Sequence, residues 1–139
     1  MENKELRERM LSGKMYNDLS VELVQRREQA VFLTNDYNST YGKPKEVREA
    51  LLRKLLRCIG SSVHFEPNFR CEFGFNISIG NNFLANFDCI MLDGNLITIG
   101  DNVLLGPRVF IRPIMRSIRR NVLWAGAMPI RLSLKIMYG

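Results

Sequence analysis

The sequence contains few residues that bind metals or form disulfides. One of its 139 residues is a histidine, His64, and three are cysteines, Cys58, Cys71 and Cys89, without a C-x-x-C pair among them. An odd number of cysteines without paired spacing favours reduced, mostly buried thiols in a cytoplasmic protein over a disulfide framework or a zinc site. We therefore expect no metal centre.

A long apolar run is also missing. No stretch approaches the roughly 20 residues that a transmembrane helix needs, and the charged residues 1–5 contain no apolar signal-peptide core. Apolar residues make up 46% of the chain and charged residues 24%, which is the composition of an ordinary globular protein. The sequence therefore predicts one globular domain that does not enter a membrane.

Acidic residues are absent from only one part of the chain. Residues 1–111 hold 14 basic and 14 acidic residues, whereas residues 112–139 hold six cations and no acid. The whole net charge of +6 therefore belongs to residues 112–139. So sharp a change in charge marks a boundary between two parts of the sequence.

Helical patterns fill residues 1–60. Charges alternate along residues 4–11, and Ser20 is a good cap for a second helix over residues 21–36. Pro44 is placed to open a third helix, which we expect to end at Gly60. No chemistry is visible in this segment.

A six-residue period begins after Ser61. The segments Ile79-Gly80-Asn81-Asn82 and Ile99-Gly100-Asp101-Asn102 are near copies, and the phase of the period slips by two residues after the Asp93-Gly94 turn. One inward phase comprises Ile79, Ala85 and Met91 before the turn, and Ile99, Leu105 and Ile111 after it. This period is typical of a parallel β-helix with three short strands per coil. The alternative, an antiparallel β-meander, would instead alternate every two residues.

Three segments resemble the maltose and galactoside O-acetyltransferase family of hexapeptide-repeat acyltransferases. They are residues 10–16 with Asp18 and Arg27, residues 66–77, and residues 81–93, and the resemblance covers residues 5–111 almost without a gap. It implies a mainly β fold in three parts. These are an N-terminal helical segment over residues 1–60, a partial left-handed parallel β-helix over residues 61–111, and an irregular basic tail over residues 112–139.

The resemblance implies acetyl transfer from acetyl-CoA to a sugar hydroxyl, in a cytoplasmic homotrimer with active sites between subunits. By position in the family, Asp18, Arg27, Asn86 and Asp93 hold the acceptor sugar, as carboxylates, amides and guanidinium groups can do for a polyol. Each residue also has a structural alternative: Asp18 at a helix start, Arg27 as a solvated charge, and the other two as corner residues. Leu84 and Gly94 favour the maltose-type branch.

The family uses a histidine as general base, and no catalytic residue is found here. The histidine is expected just beyond residues 109–111, where this chain reads Arg112-Pro113-Ile114-Met115-Arg116-Ser117. We interpret His64 as structural or surface. The coils that bind coenzyme A in the family do not follow either, so the resemblance predicts a truncated and inactive chain.

The tail itself is better explained by a frameshift than by selection. Forming each new codon from the last base of one codon and the first two bases of the next permits a histidine-containing segment and a further coil within residues 112–139, with Gly forced at Trp124-Ala125. Two other hypotheses remain. One is a non-catalytic protein whose basic tail binds nucleic acid or an anionic membrane, although its cations show no amphipathic face, so we predict neither partner. The other is a fragment that joins intact relatives in mixed trimers.

Overall fold

Three helices precede the β-structure in the computed structural model, which describes residues 3–113 and 130–132. They are α1 (Lys4–Leu11), α2 (Val21–Ser39) and α3 (Lys45–Leu55). Ser20 caps α2 as predicted, since its hydroxyl accepts a hydrogen bond from Leu23 N at 3.4 Å. The third helix ends at Leu55, because the chain from Cys58 onwards already forms a strand.

Nine short strands then wind into three coils of a parallel β-helix. The strands are β1 (Cys58–Ile59), β2 (Val63–Phe65), β3 (Arg70–Cys71), β4 (Ile77–Ile79), β5 (Phe83–Ala85), β6 (Ile90–Met91), β7 (Ile97–Ile99), β8 (Val103–Leu105) and β9 (Phe110–Ile111). Every pairing is parallel, and each of the three sheets takes one strand from each coil. The predicted β-helix is confirmed, and the antiparallel meander is excluded.

One coil of this helix contains 20 residues. Val63 pairs with Phe83 and Phe83 with Val103, while Arg70 pairs with Ile90 in a neighbouring sheet. Three hexapeptides therefore leave two residues over in each coil. Those two residues explain the slip of phase that the sequence shows at the Asp93-Gly94 turn.

The helix α2 closes the N-terminal end of the β-helix. Tyr37 is fully buried; its hydroxyl accepts a hydrogen bond from Phe65 N at 2.9 Å and lies 3.3 Å from Phe65 O. The Asn38 amide bonds both main-chain groups of Phe69, at 2.9 and 3.0 Å. Phe65 and Phe69 stack inside the first coil with ring centroids 3.9 Å apart. These side chains satisfy backbone groups of a coil that has no preceding coil to pair with.

A short strand lies within the basic tail. This strand, β10 (Ile130–Leu132), pairs in parallel with β7, with Ile130 opposite Ile97. The sequence did not predict it. The frameshift hypothesis concerns mainly residues 114–129 and 133–139, which lie outside the described residues. None of the described helices combines the length and apolarity required to cross a bilayer.

Candidate functional site

Arg27 on α2 joins two carboxylates from distant parts of the chain. Its Nη2 contacts Asp18 Oδ1, and its Nη1 donates to Asp18 O at 2.7 Å. Its Nε and Nη2 also donate to Glu72 Oε1, at 3.2 and 3.1 Å. The three side chains are between 18 and 26% exposed, so Arg27 is not a solvated helix charge. A planar guanidinium suits this double pairing because its donors form a fixed fork.

Glu72, which the sequence analysis missed, directly follows β3. Burial raises the pKa of its carboxyl, and the Arg27 guanidinium opposes that rise. Arg27 also lies over the Phe73 ring, 4.8 Å from its centroid. The 20-residue register places Glu72 one coil before Leu92, since Cys71 pairs with Met91. The sequence did contain a sign of its role, because Glu72 places a carboxylate where the next coil has the apolar Leu92.

Tyr16 belongs to the same group of side chains and was quoted only as part of a motif. Burial, followed by the charges of Asp18 and Glu72, raises its pKa to about 12. Its hydroxyl lies 3.5 Å from the position that a Cβ on Gly94 would occupy. The phenol therefore stays protonated near neutral pH and can donate a hydrogen bond. We call Tyr16, Asp18, Arg27 and Glu72 the Arg27 cluster.

Asp93 lies beneath this cluster with its carboxylate bonded to the backbone. Its side chain is completely buried, and its two oxygens accept hydrogen bonds from Phe73 N at 2.9 Å and Asn76 N at 3.1 Å. The Asn76 amide returns a bond to Asp93 O at 3.0 Å. Burial raises the pKa of Asp93 to about 7, and the bonds from backbone N–H groups oppose the rise. Asp93 thus ties the corners of successive coils together.

Asn86 occupies a different corner of the β-helix. It follows β5, whereas Asp93 follows β6, so the two residues lie at successive corners of one coil. The Asn86 side chain accepts a hydrogen bond from Phe87 N at 2.9 Å. Of the four predicted residues, the structure brings Asp18 and Arg27 into contact and places Asp93 nearby. Asn86 stands apart from them in the single chain.

The single histidine is engaged elsewhere. His64 Nδ1 lies 2.6 Å from Arg48 Nη1, and His64 Nε2 lies 3.3 Å from Glu66 Oε1. His64 belongs to β2, whereas Glu72 of the Arg27 cluster follows β3, which lies in another sheet. Within residues 3–113 and 130–132, no group of three or more His, Cys, Asp and Glu side chains is arranged to hold a metal ion.

Comparison with known proteins identifies the architecture. Residues 9–60, from the end of α1 to the first strand, match the maltose acetyltransferase hexapeptide capping motif. The crystal structure of a maltose O-acetyltransferase from Clostridium difficile 630 is similar with a TM-score of 0.78 and 40% identity, over 87% of this chain and 67% of that one. The chain belongs to the maltose/galactoside O-acetyltransferase family. As in other members of the family, its β-helix is the left-handed hexapeptide-repeat type.

Other members of the maltose/galactoside O-acetyltransferase family are longer than this chain. Galactoside O-acetyltransferase of Escherichia coli (strain K12) is 32% identical over 123 residues, which cover 86% of this chain and 61% of that protein. A hexapeptide-repeat acetyltransferase from Vibrio cholerae O1 biovar eltor, complexed with acetyl-CoA, has a TM-score of 0.66 and 39% identity. The match covers 74% of this chain and 55% of the Vibrio chain. The predicted family and fold are confirmed.

Proposed function

We propose that this chain serves the transfer of an acetyl group from acetyl-CoA to a sugar hydroxyl, and that the Arg27 cluster holds the acceptor sugar. The observation that carries the proposal is the convergence of Asp18 and Glu72 on one partly exposed guanidinium. Sugar hydroxyls both donate and accept hydrogen bonds. The cluster offers carboxylate oxygens as acceptors, and the phenol of Tyr16 and the guanidinium of Arg27 as donors.

The acceptor is of maltose type in this proposal. Gly94 leaves space beside the Tyr16 hydroxyl, and Leu84 presents an apolar side chain that is 38% exposed on the outer face of β5. The similar structure from Clostridium difficile is that of a maltose O-acetyltransferase. Asp93 contributes by holding the corner on which Glu72 and Gly94 lie.

Asn86 joins the site from a second copy of the chain. An apolar surface surrounds its corner and is formed by exposed side chains on the outer faces of two sheets and in the turn between them: Leu84, Phe87, Ile90, Leu104 and Phe110. Leu84 pairs with Leu104, and Ile90 with Phe110, so the surface is continuous across two coils. Exposed apolar patches of this kind mark interfaces. We propose that it is covered in a homotrimer, which is a closed assembly of identical contacts.

Acetyl-CoA is the donor, as the complex of the Vibrio cholerae relative supports. In the reaction a sugar oxygen forms a bond to the thioester carbonyl carbon, the carbon–sulfur bond breaks, and the hydroxyl proton passes to a general base. The histidine of these 139 residues lies between Arg48 and Glu66, away from the Arg27 cluster. We propose that residues 1–139 alone bind the sugar without turnover.

Two further hypotheses concern the location and the partners of the protein. Cys58, Cys71 and Cys89 are all free thiols, which supports a reducing, cytoplasmic location. A nucleic-acid or membrane function would rest on the cations of residues 112–139, of which the structure describes 112–113 and 130–132. We propose neither as a partner.

Maltose binding to variants of the chain tests the acceptor site. Arg27→Lys keeps the charge but loses the fork that holds two carboxylates, so maltose affinity should fall about tenfold or more in calorimetry. Arg26→Lys is the matched control, because Arg26 lies on the same helix and its guanidinium contacts Gln29 at 3.4 Å and the Phe75 ring at 5.9 Å instead of the two carboxylates. Equal affinities for Arg27→Lys and the parent chain would contradict the proposal. Acetylmaltose formed on addition of acetyl-CoA would contradict the absence of turnover.

A further inference from the structure

A second groove lies between the start of α3 and the outer face of β2. It has a volume of about 570 Å³, which is within the range of small-molecule sites. Its main lining residues are Tyr41, Lys45, Arg48, His64 and Glu66, and we call it the α3 groove. None of these residues belongs to the Arg27 cluster.

Arg48 forms the floor of the α3 groove. It is 5% exposed, and its Nη2 donates to Phe65 O at 3.0 Å while its Nε donates to Thr40 Oγ1 at 3.4 Å. Its guanidinium also lies 4.5 Å from the centroid of the Tyr37 ring. These contacts fix the guanidinium, so the groups that rest on it are pre-organised.

His64 is held in one tautomer by Arg48. Arginine can only donate hydrogen bonds, so the 2.6 Å contact requires His64 Nδ1 to accept. The hydrogen of the neutral ring then lies on Nε2, which faces Glu66 Oε1 at 3.3 Å. Arg48, His64 and Glu66 therefore form a fixed chain of contacts that ends on the Glu66 carboxylate in the groove.

Tyr41 forms an aromatic wall at the edge of the groove. Its side chain is 60% exposed, and the Arg48 guanidinium lies 5.8 Å from its ring centroid. A hydrogen bond to the Glu66 carboxylate raises the pKa of the Tyr41 phenol. The hydroxyl is thereby tethered while much of the side chain remains open to solvent.

The charges of the groove are nearly balanced, because two carboxylates accompany three cations, which include Lys43. Lys45 Nζ already donates to Ser62 Oγ at 3.1 Å and lies 3.9 Å from Glu49 Oε1. Glu49 and Glu66 both line the groove and would repel an anionic group. An open aromatic side chain beside a carboxylate acceptor suits a ring that has one apolar face and several hydroxyl groups.

We propose that the α3 groove is a second carbohydrate-binding site that takes a neutral mono- or disaccharide against Tyr41, with the Glu66 carboxylate accepting hydrogen bonds from its hydroxyl groups. The groove lies on β2 and α3, away from the Arg27 cluster, so it binds a saccharide independently of acetyl transfer. It gives the protein a second contact with a glycan or with a longer acceptor.

The single histidine of the chain makes the test direct. In the full chain labelled with [¹³C]histidine, one ring signal reports on the α3 groove, because His64 is the one histidine of the 139 residues. The probes are maltose, lactose, chitobiose and, separately, inorganic phosphate. For at least one saccharide, we expect the chemical shift of His64 to change with concentration until it saturates. Phosphate should produce no saturable change in this shift.

Variants assign the shift to the groove. Tyr41→Ala should weaken binding about tenfold, and Tyr41→Phe should retain most of it because the ring remains. Phe32→Ala is the matched control, since Phe32 is an exposed aromatic on α2 outside the groove. In Arg27→Lys the His64 response should persist, which separates this site from the acceptor site. Saturation by phosphate alone, no response to any saccharide, or equal weakening by Phe32→Ala would overturn the proposal.

Discussion

Arg27 places one positive charge between two carboxylates that would otherwise repel each other. Asp18 precedes α2 and Glu72 follows β3, so the ion pairs also fasten the helical segment to the β-helix. Replacing Arg27 would leave two neighbouring carboxylates without a counter-charge. The site and the docking of α2 therefore depend on the same guanidinium.

The family resemblance predicted that Asp18 and Arg27 belong to one site, but it did not include Glu72. Asp18 and Arg27 are nine residues apart and flank the start of one helix, so their proximity follows from local structure. Glu72 is 45 residues from Arg27 and meets it only after the coil closes. Long-range partners of this kind are set by the packing of α2 against the first coil, which no local pattern reports.

Asp93 should make stability depend on pH. Its folded pKa of about 7 exceeds the value of about 3.9 for a free aspartate. Between these values the folded state retains a proton that the unfolded state has lost. The free energy of unfolding should therefore fall as pH rises from about 4 to 7, by at most about 1.4 kcal/mol per pH unit from this group.

Denaturant unfolding of Asp93→Asn beside the parent chain checks this expectation. The asparagine cannot titrate, so its unfolding free energy should show a shallower fall over the same pH range. All other residues are the same in both proteins, so the difference between the two profiles reports on position 93. Parallel pH profiles for the two proteins would show that Asp93 does not keep its proton.

At the scale of elements, the corners that follow β4 and β7 explain why the Ile-Gly-Asn/Asp-Asn motif recurs. Asn82 and Asn102 both have φ of +56°, a conformation that asparagine tolerates better than most residues. Asn82 Nδ2 donates to Asn102 Oδ1 at 2.8 Å, and Asn81 N donates to Asp101 Oδ1 at 2.6 Å. The corner side chains thus bond from coil to coil.

Gly80 is required because successive corners approach closely. A Cβ at this position would lie 2.8 Å from Gly100 C and 2.9 Å from Asp101 N. We expect Gly80→Ala to lower the free energy of unfolding by roughly 1–3 kcal/mol, as overpacking does. Gly106→Ala is the matched control, since nothing lies within 4 Å of its Cβ, and should change stability by less than about 0.5 kcal/mol.

Thermal or denaturant unfolding of the two glycine variants measures the difference. If Gly80→Ala lowers the free energy of unfolding no more than Gly106→Ala does, the corners can move apart without loss of stability. The approach of the corners would then not be what selects glycine in the motif.

Most of the β-helix could be predicted because its inward residues recur every six positions in the sequence. The inward residues Ile79 and Ile99 and the slip at Asp93-Gly94 together define a 20-residue coil. The end of α3 could not be predicted as well, since Ile59 continues the apolar face of the helix by spacing. It lies in β1 instead, because Cys58 and Ile59 pair with Ser78 and Ile79. Tertiary pairing overrides helical periodicity there.

At the scale of the whole molecule, the proposed arrangement of copies follows from the positions of Asn86 and Asp93. The two residues lie at successive corners of one prism, and exposed apolar side chains surround the corner of Asn86. A second chain packed on that surface would bring its own Asn86 towards the Arg27 cluster of its neighbour. Each sugar site of the proposed trimer would then be built from two chains.

Mixing two variants of the chain tests this account most directly. Arg27→Lys trimers and Asn86→Ala trimers each lack an intact site, so each should bind maltose weakly in calorimetry. After unfolding and refolding together in equal amounts, about one quarter of the sites should combine an intact Arg27 with an intact Asn86 from another chain. The account predicts that about this fraction of maltose binding returns. Weak binding by each variant with no recovery on mixing would contradict an acceptor site shared between chains.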